Sequence, residues 1–176
     1  MKNKYFLIFL NLFTIIVFSQ NDYNIKSKIW KFEKPKKFVL EEDDQPKSDN
    51  DRTIFFTVKK EDSISKSSII ASVWLKQNGI KNFGINNYLD KWIESFKKQY
   101  NEAETTIITI KKQIKINGID FYILESELYY KKINYRAKML FYVAEIDNLE
   151  FNIVCFVNNE NDEKSVIEAI NNSTFE

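Results

Sequence analysis

Between Ile107 and Val157 apolar residues recur at every second position through four consecutive runs, the period at which a pleated strand presents side chains to one side. Asn117-Gly118 separates the first two runs and suits a two-residue type I′ turn, because both residue types accept positive φ. Lys131 to Asn134 and Asp147-Asn148 mark two further turns, so the stretch is expected to be a four-stranded antiparallel meander. Such a meander has two faces, and both must be accounted for by the rest of the chain.

One face is expected to carry Ile108, Ile110, Ile114 and Ile116, then Tyr135, Ala137, Met139, Phe141 and Val143, then Leu149, Phe151, Ile153, Cys155 and Val157. The alternation places Tyr122, Leu124, Leu128, Leu140, Tyr142, Val154 and Phe156 opposite, with Phe55 and Trp74 from earlier strands at about 53–59 and 69–76. That second face is too apolar to be fully wetted, so a helix covers it or a ligand or partner does. Phe55, Trp74, Tyr122, Tyr142 and Phe156 are the candidate binding residues, since aromatic side chains supply much of the energy at interfaces.

Two stretches have the other period. Ile85, Tyr88, Leu89, Trp92, Ile93, Phe96 and Tyr100 recur at helical spacing, with Asp90, Lys91, Glu94, Lys97 and Lys98 on the opposite side. A shorter helix is expected over 162–172, carrying Val166, Ile167 and Ile170. Earlier, Ile29 to Glu33 is an apolar alternation that stops at Pro35, and residues 41–52 are an acidic, aperiodic surface loop. The fold class implied is α+β, an α/β/α sandwich around one antiparallel sheet of about six strands with two main helices.

The first residues set a compartment. Lys2 and Lys4 precede an apolar run from Tyr5 to Phe18 that is short for a bilayer span, and Val17 and Ser19 are small enough for a signal-peptidase site. Residues 1–19 are therefore expected to be a signal peptide, with an uncleaved anchor as the alternative, followed by an arm at 20–28 and a single domain over 29–176. The mature protein would begin at Gln20 in the periplasm or outside the cell, with no membrane anchor, because no cysteine follows the segment to take a lipid. Of 26 basic and 25 acidic residues, loss of Lys2 and Lys4 leaves 24 against 25, a near balance that argues against nucleic acid as a partner.

The residue types present also bound the chemistry. No histidine occurs, which removes the usual neutral-pH base, the commonest metal ligand and every Ser-His or Cys-His arrangement. Cys155 lies on the apolar phase of its strand and reads as a buried hydrophobe. Three glycines, none in a G-x-G or G-K context, leave no phosphate-cradling loop. Ser63 to Lys66 matches S-x-x-K and Ser48 to Asn50 matches S-D-N, but in the reverse order for a serine acyl enzyme and without K-T-G. The acidic clusters 41–44 and 160–163 lack the spacing of a calcium loop. No catalytic residue, metal site or cofactor is expected; Glu125 and Glu127, two apart on one strand, are the single carboxylate pair a hydrolase could use. Asp62-Ser63-Ile64 resembles a three-residue O-glycan acceptor of exported bacterial proteins, with Ser63 as the acceptor.

The order of elements resembles one known family. A short Trp-containing strand ending at Pro35, a strand pair, one long helix, a meander containing KIKINGIDFYIL with the Asn117-Gly118 hairpin, and a closing helix before Ser173-Thr174-Phe175 are similar to the PsbP-like proteins, including the DcrB-like bacterial ones. The resemblance covers most of residues 29–176, the acidic loop 41–52 excepted, and implies a sandwich used for docking to other proteins, with no catalytic residues to carry over. The expected function is a non-enzymatic binding or docking module of the cell envelope whose partner is a protein or an envelope component. An envelope inhibitor or immunity protein is the alternative, and a carboxylate-dependent hydrolase a further one.

Overall fold

The structure, a computed structural model, describes residues 21–40, 47–48, 52–60, 67–76, 78–99, 105–131 and 134–176. Residues 1–19, expected to be a signal peptide, the acidic cluster 41–44 and Ser63 lie outside the described residues.

A large antiparallel sheet is built from β3 (Phe38–Leu40), β4 (Lys47–Ser48), β5 (Arg52–Lys60), β6 (Ser68–Trp74), β7 (Thr105–Ile116), β8 (Ile119–Tyr130), β9 (Tyr135–Ile146) and β10 (Leu149–Val157). Its order is β3-β5-β6-β10-β9-β8-β7, with β4 pairing on β5. The two strands beyond the expected six are β3 and β4, three and two residues long and too short to carry a period of their own. A second sheet, β1-β2-β11, joins β1 (Asn21–Ile25) and β2 (Lys28–Phe32) to β11 (Thr174–Phe175). The expected arm at 20–28 is therefore, where described, mostly an edge strand of the domain; polar Asn21, Asp22 and Asn24 hide its pattern.

Helices cover both faces, as a sandwich requires. Against one lie α3 (Glu160–Asn171) and the small sheet, closing a core in which Trp30 is fully buried among Tyr23, Phe32, Phe151 and Phe175 at ring separations of 5.5, 5.1, 4.9 and 6.2 Å. Backbone hydrogen bonds Ile29 N–H to Glu176 O (2.8 Å) and Glu176 N–H to Ile29 O (2.9 Å) tie the start of the domain to its end. Against the other face lie α1 (Gly79–Phe83) and α2 (Ile85–Gln99), which bury Leu89 and Phe96 on Leu124, Leu128, Met139, Phe141 and Val143. Trp92 stacks on Phe141 at 4.4 Å and 11°.

The face assignment made from alternation needs correcting. In a two-residue hairpin the flanking residues face each other, so Ile146 pairs with Leu149 and Leu140 with Cys155. Even positions of β9 consequently share a side with odd positions of β10. Leu140, Tyr142 and Ala144 join Phe151, Ile153 and Cys155 in the α3-side core, whereas Met139, Phe141 and Val143 turn to α2. Asn117 (φ 44°) and Gly118 (φ 83°), like Asp147 (φ 53°) and Asn148 (φ 62°), supply the positive φ pair that fixes this register. A bulge at Ile54/Phe56 acts similarly on β5, placing Phe55 beside Val58 in the α3-side core although the two are three positions apart.

The acidic run at 160–163 is the first turn of α3, where Glu160, Asp162 and Glu163 suit the helix dipole. Asp162 is buried and accepts from the Ser67 hydroxyl at 2.7 Å and Asn159 Nδ2 at 2.8 Å, and Glu163 pairs with Lys138. Among the described residues no His, Cys, Asp and Glu group of three or more could hold a metal ion, and no helix is long and apolar enough to cross a membrane.

Candidate functional site

The five aromatic residues singled out from sequence do not share one surface. Phe55 and Tyr142 are buried in the α3-side core. Tyr122 and Phe156 lie on the α2 side, half-buried against its cluster. Trp74 is also on the α2 side, but lines an open cleft of about 510 Å³ between α1, the start of α2 and strands β5, β6 and β10. Phe156 lies six residues along β10 from the residue opposite Trp74, about 20 Å at strand rise, so the two cannot form one contact.

Strand register builds the cleft floor. Arg52 pairs with Trp74 and Trp74 with Glu150, putting a guanidinium, an indole and a carboxylate side by side across three strands. In the next row Ser72 pairs with Asn152. The Arg52 guanidinium lies 5.4 Å from the Trp74 ring centre and donates to Ser72 Oγ at 2.9 Å. Such a stack orders both side chains while leaving the cation fully charged.

Glu150 is 4% exposed, and three donors make its burial tolerable. Gly79 N–H donates to Oε2 at 2.6 Å, and Tyr88 O–H and Asn152 Nδ2 donate to Oε1 at 2.5 and 2.9 Å. Burial first, then the hydrogen bond to Glu150, pushes the Tyr88 phenol far above its ordinary pKa, so it remains a neutral donor. The backbone donor is held in place by Asn78, which caps α1 through Oδ1 and gives Nδ2 to Glu145 (3.1 Å) and to the Asn148 carbonyl (3.0 Å). Glycine is required at 79, because a Cβ there would overlap the Tyr88 ring and crowd Glu150.

Asn152 is 5% exposed, and its Oδ1 is buried without a hydrogen-bond partner among the described residues. Its orientation is determined: Glu150 accepts only, so Nδ2 faces the carboxylate and Oδ1 is left over. The rim is aromatic. Trp92 and Phe83 complete it, the latter 47% exposed under the Lys91 ammonium, 3.6 Å from the ring centre.

Helical spacing places Tyr88 and Trp92 on the packing stripe of α2, and strand alternation does not single out Arg52, Glu150 or Asn152. The signal was present in β10, where LEFNIVCFV carries two polar residues at i, i+2 in a strand otherwise apolar throughout. Glu125 and Glu127 do share a face, but Glu125 pairs with Lys112 at 2.7 Å, and exposed Glu127 borders a separate cavity of about 500 Å³ beside Arg136, Lys138 and Glu163. Cys155 is fully buried, and burial alone pushes its thiol well above the ordinary value, which makes it inert.

No protein-family model and no curated protein matches the chain by sequence. Among solved structures, cyanobacterial PsbP (CyanoP) from Synechocystis sp. PCC 6803 superposes with a TM-score of 0.59 at 11% identity, covering 93% of this chain and 95% of its own. The fold is PsbP-like. LpqN, involved in cell envelope biogenesis of Mycobacterium tuberculosis, superposes at 0.53 and 10% identity over 89% and 90% of the two chains. At these identities the likeness is one of fold, and the PsbP-like sandwich expected from element order is the architecture found.

Proposed function

We propose that this PsbP-like chain is a non-enzymatic, exported module that docks a protein or another envelope component through the cleft beside α2. One observation carries the reading. Among the described residues, the α3 face is closed by a helix and a second sheet, whereas the α2 face leaves a half-buried indole and an exposed phenyl ring around one cavity, with a buried, unpartnered amide oxygen on the residue beneath them. Aromatic and arginine side chains around a desolvated centre are the composition of binding hot spots. Support for export comes from the N-terminal segment, and support for the envelope from the LpqN fold. The inhibitor or immunity alternative would use the same surface and differs in its partner, which would be an enzyme.

The test is a photo-crosslinking residue placed at Phe83, on the cleft rim, or at Lys164, exposed on α3, in protein expressed with its export segment. Crosslinks from position 83 to one envelope component, with none from 164, are expected. Equal yields at both positions, or protein retained inside the cell, would contradict the reading.

A further inference from the structure

From the cleft's chemistry we infer that its occupant is a segment of polypeptide, bound by one backbone amide N–H on Asn152 Oδ1 with an apolar, preferably aromatic, side chain against the indoles of Trp74 and Trp92. This rests on the docking reading above and specifies what is docked.

The unpartnered oxygen defines the polar half of the ligand. Asn152 is 95% buried, since 5% of its surface is accessible, and Oδ1 lacks a donor while Nδ2 is fixed on Glu150. A buried acceptor without a partner carries an uncompensated desolvation cost, so a ligand that brings a donor recovers it, while one that seals the cleft without a donor does not.

Charge balance selects the kind of donor. The lining holds one cation, Arg52, and one carboxylate, Glu150, and the latter already accepts three hydrogen bonds. An ammonium group buried there would be a charge without a counter-ion, which is the costliest group to desolvate. A neutral N–H avoids that, and the carbonyl of the same amide is an acceptor for a guanidinium such as that of Arg52.

The walls select the rest. Five aromatic rings, Trp74, Phe83, Tyr88, Trp92 and Phe141, border the cavity, while Tyr88 and Glu150 are engaged with each other. A sugar ring would bring several hydroxyls to a lining with few polar groups left to meet them. One amide and one flat side chain use what is available. A volume of about 510 Å³ accommodates a residue and its neighbours.

The experiment uses N-acetyl-L-phenylalanine dimethylamide, which has a single N–H, and its N-methylated analogue, which has none. Backbone amide shifts of the mature protein are followed during titration with each. The N–H compound is expected to move resonances of Trp74, Gly79, Tyr88 and Asn152 and to bind roughly tenfold more tightly than the analogue, the ratio that about 1.4 kcal/mol of hydrogen bonding gives. Asn152→Leu should abolish that preference, and Trp74→Ala, a rim change that leaves Asn152 in place, should weaken both compounds alike. Equal affinity for the two compounds in the unaltered protein, a preference that survives Asn152→Leu, or maltose shifting the same resonances more strongly would overturn the inference. If Phe83 crosslinks persist under any of those results, docking stands and the peptide assignment fails. Absence of crosslinks overturns the docking reading, and this inference with it.

Discussion

Glu150 is the residue on which the cleft geometry depends, since it gathers α1, α2 and β10 through Gly79, Tyr88 and Asn152. Glu150→Ala strands three donors, and at about 1–3 kcal/mol for each buried group left unsatisfied, a loss of about 3 kcal/mol or more is expected by chemical denaturation. Glu150→Gln should cost less than half as much. Its amide can keep the Gly79 N–H on oxygen and give N–H to Tyr88 and to a flipped Asn152, both of which can accept. Equal losses for the two variants would show that an amide cannot take the carboxylate's place in this network. Gly79→Ala is expected to cost about 1–3 kcal/mol, the usual range for overpacking, because the Tyr88 ring can yield only by giving up Glu150. A neutral result at 79 would mean that α1 moves freely on the sheet.

At the scale of elements, Trp30→Ala should destabilise the domain by about 3 to 5 kcal/mol, because β2 places this fully buried ring among partners from β1, β10 and β11. Thermal unfolding checks it, and a shift no larger than that of a surface change would contradict the closed α3-side core. The meander, its turns and α2 were legible in sequence because each is long enough to repeat its period several times. α1 was not, being five residues beginning at a glycine. The two faces were mixed because alternation gives a parity only within a strand, and the hairpin turn and the β5 bulge set parity between strands. For the same reason Phe55 and Tyr142 were grouped with Trp74, while Glu150 and Asn152, which share its floor, were passed over. Nothing in a single strand announces which polar residue will stand beside which indole across the sheet.

For the whole molecule, the domain is an asymmetric sandwich. One face is sealed by residues drawn from both ends of the described chain, and the other is, among the described residues, covered only in part by α1 and α2. A residue that looks alike on both sides in sequence therefore has opposite consequences. Trp30 holds the fold, whereas Trp74 is half-buried at a rim where Arg52 is its close neighbour. The measurement that bears most directly on this difference is paired, unfolding free energy and Phe83 crosslinking on the same Trp74→Ala protein. The account predicts a loss of only about 1 kcal/mol, against about 3 to 5 for a buried tryptophan, together with loss of the crosslink. A Trp74→Ala protein as unstable as Trp30→Ala, or a stable one that still crosslinks at full yield, would contradict it.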